Sequence, residues 1–307
     1  MSKKLKGDLL LLLTAFIWGS AFVAQSAGAD LIGPFTFNAV RYLISFLFLV
    51  PVIYIMNLNK KKNNEAELTP EAKKLEKSYY IKGGIACGII LCIASGVQQL
   101  GIQFTTAGKA GFITSLYVVL VPILGIFIGK KVKPLIWICV IMAAVGLYFL
   151  SFKKGDFSIS KGDFIILICA VCFSVHILVI DYFSPKTDGV KMSCIQFLVT
   201  SLGSAVIMFV RETIVVENIM AAMIPLLYAG VLSGGVGYTL QIVAQKDTEP
   251  AIASLILSLE SVFAVICGVL LLSEAMTTRE IFGCVVMFVA IVLAQLPSKE
   301  ERLANKA

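Results

Sequence analysis

Ten long apolar runs, separated by short polar, glycine or proline segments, make up most of the chain. Each run approaches the roughly 20 residues that an α-helix needs to cross the hydrocarbon core of a bilayer. The runs are 9–27, 36–56, 82–104, 110–129, 134–152, 163–182, 192–210, 221–244, 251–272 and 280–296. The pattern therefore predicts an all-α integral membrane protein with ten transmembrane helices.

The composition supports a lipid bilayer as the environment of the chain. Hydrophobic residues make up 58% of it, charged residues 15%, and the mean hydropathy is +0.92, whereas soluble domains carry about 25% charged residues. A soluble fold could not hide this much apolar surface from water. The longest polar stretch, residues 57–81, carries Lys60, Lys61 and Lys62 and is predicted to be a cytoplasmic linker.

An internal repeat divides the ten runs into five plus five. Lys6-Gly7-Asp8 opens the first run, and Lys161-Gly162-Asp163 opens the sixth. Runs four and nine align without gaps; the matches include Ala110 with Ala253, Ile113 with Ile256, Ser115 with Ser258, Leu116 with Leu259, and Gly125 with Gly268. The sequence thus predicts two repeat units, residues 1–152 (with the linker 57–81) and 153–307.

The odd number of helices in each unit has a geometric consequence. Two such units in one chain must enter the membrane from opposite sides, which predicts two inverted five-helix repeats. Inverted repeats are a recurrent plan of transporters, whose substrate site lies near the bilayer midplane between the halves. In this register Tyr117 corresponds to Glu260, and Trp18 corresponds to Phe173.

The distribution of basic residues predicts the orientation. With the N-terminus inside, 19 of the 26 Lys and Arg residues fall in cytoplasmic segments, and Lys153 and Lys154 form the main exception. This bias places both termini in the cytoplasm of a multi-pass plasma (inner) membrane protein. Although the net charge is +7, it is spread over loops and tails, so no nucleic-acid partner is expected. Arg41, near the outer end of the second span, is expected to snorkel to the membrane surface.

Polar and aromatic residues at helical spacing predict a substrate pathway through both halves. The candidates are Trp18 and Gln25 in span one, Gln99 in span three, Tyr117 in span four, His176 in span six, Tyr238 and Gln241 in span eight, and Glu260 in span nine. Trp18 and Tyr238 lie too deep for an interfacial aromatic belt. The glutamines and His176 have an alternative interpretation, as hydrogen bonds that only join helices.

Glu260 is the strongest of these candidates. It is the single carboxylate near the middle of any run, and a charge at that depth costs several kcal/mol unless it is paired or protonated. Such a residue is a candidate for proton coupling, or for binding the ammonium group of a substrate. A buried, protonated carboxyl with a structural hydrogen bond is the alternative.

Several kinds of chemistry leave no trace in the sequence. There is no GxxxxGK[ST] motif, no metal-ligand cluster and no Ser–His–Asp set, so we expect no ATP hydrolysis, no metal, no cofactor and no enzyme activity. The expected partners are the lipid bilayer and a small-molecule substrate. The protein itself is expected to be a monomer or a weak dimer.

Four features resemble the EamA-type branch of the drug/metabolite transporter superfamily. They are Trp18-Gly19-Ser20-Ala21-Phe22, Arg41, the Val121-Pro122 step, and Leu270-Leu271-Leu272-Ser273-Glu274 followed by Gly283. The resemblance covers nearly the whole chain as two tandem copies. It implies a ten-helix fold with a central cavity and bacterial members that export amino acids or other metabolites.

The expected function is therefore a secondary transporter that moves a small metabolite, such as an amino acid, by alternating access. The alternatives are a proton-coupled broad drug exporter and a non-transporting membrane sensor. One departure from the family pattern carries a structural expectation. Ser261 follows Glu260 where proline is common, which predicts a straighter ninth helix.

Overall fold

The computed structural model describes residues 3–62, 69–105, 107–151, 160–272 and 277–294. Every regular element in these ranges is helical. In the first half they are α1 (Lys3–Ala29), α2 (Pro34–Lys62), α3 (Pro70–Ile102), α4 (Ala107–Ser115), α5 (Tyr117–Phe127) and α6 (Pro134–Ser151). Lys153, Lys154, Glu274 and the linker residues 63–68 lie outside the described residues.

The second half repeats this order with more interruptions. Its helices are α7 (Lys161–Phe183), a 3₁₀ turn (Ser184–Lys186), α8 (Gly189–Arg211), α9 (Val216–Ala221), α10 (Met223–Leu227), a π-helical segment (Tyr228–Tyr238), α11 (Thr239–Ala244), α12 (Pro250–Leu257), α13 (Glu260–Leu272) and α14 (Thr278–Ala294). In the register of the predicted repeat, the start of α4 corresponds to that of α12, and the start of α5 to that of α13.

Eight helical segments within the described residues are long and apolar enough to cross a membrane. Two shorter apolar helices, Pro134–Phe149 and Ile281–Ala294, coincide with the fifth and tenth predicted spans. The all-α membrane fold is thus confirmed. The count of ten spanning helices stays a prediction.

Local sequence signals explain where several helices begin. Pro34, Pro70, Pro134 and Pro250 each start a helix, because proline lacks an N–H that would be unsatisfied there and its φ already suits a helix. Ser160 caps α7 through a reciprocal capping box with Asp163. These signals fix the ends of the spans more sharply than hydropathy alone.

The first turn of α2 is capped from a distant part of the chain. The carboxylate of Glu212, the residue that follows α8, accepts hydrogen bonds from the backbone N–H groups of Phe35 and Thr36, both at 2.8 Å, and from the Thr36 hydroxyl at 2.7 Å. A negative charge at a helix N-terminus is favourable. The contact therefore ties the start of α2 to the end of α8.

The fourth and ninth predicted spans are each interrupted at equivalent positions. Leu116 N–H donates to Ile113 O at 3.2 Å, and Leu259 N–H donates to Ile256 O at 3.2 Å. Each bond spans three residues, so the helical turn is tighter there than in an α-helix. The ninth span is thus divided into α12 and α13, and the expectation that it is straighter than in related proteins stays a prediction. The hydroxyl of Ser258 donates to Leu255 O at 2.7 Å, and such bonding of serine to the preceding turn bends helices even without proline.

The helices pack across the two halves rather than within each half. α2 packs along α8, α6 packs along α14, α3 packs against both α7 and α8, and α1 packs against α13 and the π-helical segment. The outward faces remain apolar and exposed, with Leu47 at 57% and Phe209 at 73% exposure. These faces are suited to contact with lipid, and the interior is left for packing and for polar residues.

Candidate functional site

A small cavity lies at the centre of the bundle. Its volume is about 30 Å³, which is room for about two water molecules. It draws side chains from both repeats: Trp18, Phe22, Gln25, Arg41, Gln98, Thr114, Tyr117, Phe173, Ser233, Tyr238 and Glu260. In this conformation the cavity has no room for a metabolite.

Glu260 is the only carboxylate among the residues that line the cavity. It is 3% exposed and stands at the start of α13, directly after the interruption at Ser258 and Leu259. Its Oε1 accepts hydrogen bonds from the Tyr117 hydroxyl at 3.0 Å and from the Ser115 hydroxyl at 3.3 Å. The interrupted helices therefore bring their two starting residues, Tyr117 and Glu260, together.

Arg41 supplies a positive charge to the same cavity. Its guanidinium donates to Gln25 Oε1 at 3.0 Å and to the Tyr42 hydroxyl at 2.9 Å, and it lies 5.4 Å from the Phe37 ring centroid. The expectation that Arg41 snorkels to the surface was wrong, because the side chain is 2% exposed and turns inward. Within the described residues it forms no ion pair, so its charge is available to an anionic group.

An aromatic wall completes the cavity. The Trp18 and Tyr238 rings lie 4.6 Å apart, and Trp18 Nε1 donates to Ser233 O at 3.2 Å. This carbonyl belongs to the π-helical segment. A second carbonyl of that segment, Gly237 O, accepts a hydrogen bond from the Thr14 hydroxyl at 3.3 Å. Such irregular turns are frequent at functional sites because they free carbonyl groups for other partners.

Five of the eight predicted pathway residues line this cavity and three do not. Trp18, Gln25, Tyr117, Tyr238 and Glu260 face it. Gln99 donates instead to Gln25 O at 3.0 Å, and His176 Nε2 pairs with Gln196 Oε1 at 3.0 Å. Gln241 is buried at 1% exposure away from the cavity. The contacts of Gln99 and His176 join helices, which was the alternative interpretation of the polar stripes.

Six lining residues were absent from the predicted pathway. They are Phe22, Arg41, Gln98, Thr114, Phe173 and Ser233. The repeat could have indicated one of them, because Phe173 corresponds to Trp18. Thr114 accepts a hydrogen bond from Gln98 at 3.2 Å, a contact that no one-helix pattern reveals.

A larger cavity of about 210 Å³ lies at one end of the bundle. It is bounded by the turn between α1 and α2, by Gln103, and by residues 213–219 near α9. None of the predicted pathway residues lines it. We assign the site to the smaller cavity, because the buried carboxylate of Glu260 and the buried guanidinium of Arg41 both line it. No group of three His, Cys, Asp or Glu side chains suited to a metal occurs among the described residues.

Comparison with known proteins adds a family and a fold. The sequence model of the EamA-like transporter family matches residues 5–152 and 160–296. An uncharacterized transporter of Archaeoglobus fulgidus is 33% identical over 296 residues, which cover 96% of this chain and 87% of that protein. An uncharacterized transporter of Clostridium kluyveri is 22% identical, with 96% and 94% covered. One crystal structure has the same fold, with a TM-score of 0.72 at 16% identity, covering 97% of this chain and 98% of that one.

Proposed function

Because the chain belongs to the EamA-like transporter family and is a multi-pass membrane transporter, we propose that it exports a small zwitterionic metabolite, such as an amino acid, across the plasma membrane by alternating access. One observation carries this proposal. Arg41 and Glu260, a buried cation and a buried acid, line the same central cavity.

The two charged groups match the two ends of an amino acid. The guanidinium of Arg41 can bind a carboxylate with paired hydrogen bonds, and the carboxylate of Glu260 can accept an ammonium group. The rings of Trp18 and Tyr238, 4.6 Å apart, offer an apolar surface to the rest of the molecule. A charged substrate would thus meet compensating charges in a site with little water.

Contacts between corresponding residues support ten helices in two inverted repeats. A residue that touches its own counterpart must lie next to the axis that relates the two halves. Tyr117 bonds to its counterpart Glu260 at 3.0 Å, and Tyr42 stacks on its counterpart Phe197, with ring centroids 6.0 Å apart and planes at 15°. The cavity therefore sits beside this axis, where both sides of the membrane could reach it in turn.

Proton exchange is the energy source that we propose. Glu260 can hold a proton when the site faces one side and release it when the site faces the other. The substrate ammonium group and the proton would then compete for the same oxygen atoms. Such competition couples export of one to import of the other without any ATP-binding element.

The test uses purified protein in liposomes that contain no other protein. We expect counterflow of labelled zwitterionic amino acids, and roughly tenfold weaker counterflow of their N-acetyl and amide derivatives, which lack one charge. Arg41→Gln should abolish uptake of the zwitterion. Lys186→Gln, a change of an exposed cation in the 3₁₀ turn that follows α7, serves as the control.

Two outcomes would overturn the proposal. Binding of amino acids without any flux would identify a sensor. Equal transport of charged, acetylated and bulky apolar compounds would identify a broad drug exporter, since such a transporter does not need the paired charges of Arg41 and Glu260.

A further inference from the structure

The Lys-Gly-Asp motif that opens each repeat lies outside the central cavity. In both copies its aspartate accepts a hydrogen bond from a threonine hydroxyl. Asp8 Oδ1 accepts a hydrogen bond from the Thr248 hydroxyl at 3.3 Å. Asp163 Oδ1 accepts one from the Thr105 hydroxyl at 2.6 Å. Thr105 and Thr248 correspond in the register that pairs Tyr117 with Glu260. The same contact is thus made twice, each time between one repeat and the other.

The glycine of each motif makes this contact possible. A Cβ atom on Gly7 would lie 3.1 Å from Ala244 O and 2.8 Å from the Thr248 hydroxyl. A Cβ atom on Gly162 would lie 2.9 Å from Gly101 O, and Gly101 corresponds to Ala244. Only glycine lets the start of the helix approach the carbonyl end of its neighbour this closely.

We propose that Asp8–Thr248 and Asp163–Thr105 are the inner and outer closures of one alternating-access cycle. The proposal rests on the proposed transport function and on both termini being cytoplasmic. In that orientation the start of α1 and the α11–α12 turn lie at the inner face, whereas the start of α7 and the α3–α4 turn lie at the outer face. Both contacts are formed here, and the central cavity has a volume of only about 30 Å³.

The two closures differ in strength, so one should open more readily than the other. Asp163 is 7% exposed and also accepts the Ser160 N–H at 2.9 Å, and Lys161 Nζ lies 5.3 Å from the Phe104 ring centroid. The inner contact is longer, and Asp8 is only half-buried. The inner closure should therefore open first. An empty exporter would then load its substrate from the cytoplasm.

The test measures hydrogen–deuterium exchange in the full-length protein in lipid nanodiscs, and it requires no substrate. Thr248→Val removes the donor at nearly constant volume. We expect exchange to rise at the start of α1 and at the α11–α12 turn, and to fall at the start of α7 and at the α3–α4 turn. Thr105→Val should produce the opposite pattern. A shift of roughly tenfold in the ratio of the two states is expected for loss of one hydrogen bond to a charged acceptor.

The opposite face is the decisive readout. A contact that only stabilises its own turn would raise exchange at the altered face and leave the other face unchanged, and that result would overturn the proposal. Thr248→Ser and Thr105→Ser keep the hydroxyl and should match the wild-type protein. If the valine variants fail to fold, opposite exchange shifts in Asp8→Asn and Asp163→Asn decide the matter. Exchange results stand apart from flux, so a failed transport assay would leave this test intact.

Discussion

At the scale of single residues, the acid in the cavity has an unusual set of partners. Both recorded hydrogen bonds to Glu260 come from neutral hydroxyls, those of Tyr117 and Ser115. Arg41 lines the same cavity, but its guanidinium N–H groups donate hydrogen bonds to Gln25 and Tyr42. Glu260 and Arg41 thus line one cavity, and within the described residues they do not form an ion pair with each other. A substrate or a proton can take the place that a salt bridge would otherwise occupy.

Replacement of Glu260 by glutamine keeps the size of the side chain and removes its titratable oxygen. We expect Glu260→Gln to reduce concentrative transport by roughly tenfold or more, since a buried charged hydrogen-bond partner is lost. Membrane insertion and thermal stability should change little. Glu217→Gln, at the exposed start of α9, is the matched control.

Counterflow in the same variant separates the two roles of Glu260. Loss of exchange between labelled and unlabelled substrate identifies a substrate ligand, whereas preserved exchange identifies a residue that only carries protons. Wild-type accumulation by Glu260→Gln at both acidic and neutral pH would reduce Glu260 to a structural residue.

The sequence alone indicated that Glu260 lines the pathway, but not that Arg41 does. Glu260 could be found because a carboxylate in the middle of an apolar run is costly and therefore conspicuous. Arg41 lies near the end of its predicted span, where a long side chain can turn either way, and only packing against Gln25 and Tyr42 settles its direction. Gln98 and Gln99 are neighbours in the chain, so a helical stripe could not decide which of them faces the cavity.

At the scale of helices, the contact between the end of α8 and the start of α2 can be tested directly. The carboxylate of Glu212 satisfies two backbone N–H groups at the start of α2, and Gly33 packs against that carboxylate with no room for a Cβ atom. We expect Glu212→Gln to lower the stability of the folded protein by about 1–2 kcal/mol, because a charged cap is worth roughly that much. A thermal unfolding assay in detergent, with Glu217→Gln as control, measures the change.

Equal melting temperatures for the two glutamine variants would contradict this interpretation of Glu212. A loss of the same size in Gly33→Ala would support it, since that change displaces the carboxylate without altering any charge.

Helix positions followed from the sequence far better than helix irregularities did. Long apolar runs that begin beside Pro34 and Pro250 mark spans through hydropathy and backbone chemistry alone. The predicted linker 57–81 was too long, because α2 continues to Lys62 and α3 begins at Pro70. The interruption at Leu259 follows a local hydrogen bond, from the Ser258 hydroxyl to Leu255 O. The π-helical turn at Tyr228–Tyr238 instead has carbonyl groups that accept hydrogen bonds from side chains of other helices. Those partners, such as Trp18 on Ser233 O, lie far away in sequence.

At the scale of the whole molecule, orientation is the property on which the other proposals depend. The excess of basic residues on one side predicts that both termini face the cytoplasm. A reporter that is active only in the cytoplasm, fused to Ala307, should therefore give a signal. A second fusion in the α3–α4 turn, predicted to be external, should stay silent.

Signal from a periplasmic reporter at Ala307 would reverse the assignment of inner and outer faces. It would leave the fold and the central cavity as described. The closures at Asp8 and Asp163 would then exchange roles.

The contact between Tyr117 and Glu260 also bears on how such a chain arises. Two identical copies of the five-helix unit, assembled as an antiparallel pair about a two-fold axis, would place the same residue opposite itself at this position. Two glutamates there would repel each other unless one stayed protonated, and two tyrosines would offer no acid at all. Gene duplication followed by fusion removes that constraint, because each copy can then mutate alone. The acid in one half and the hydroxyl in the other, 3.0 Å apart, are a pairing that two identical copies cannot form.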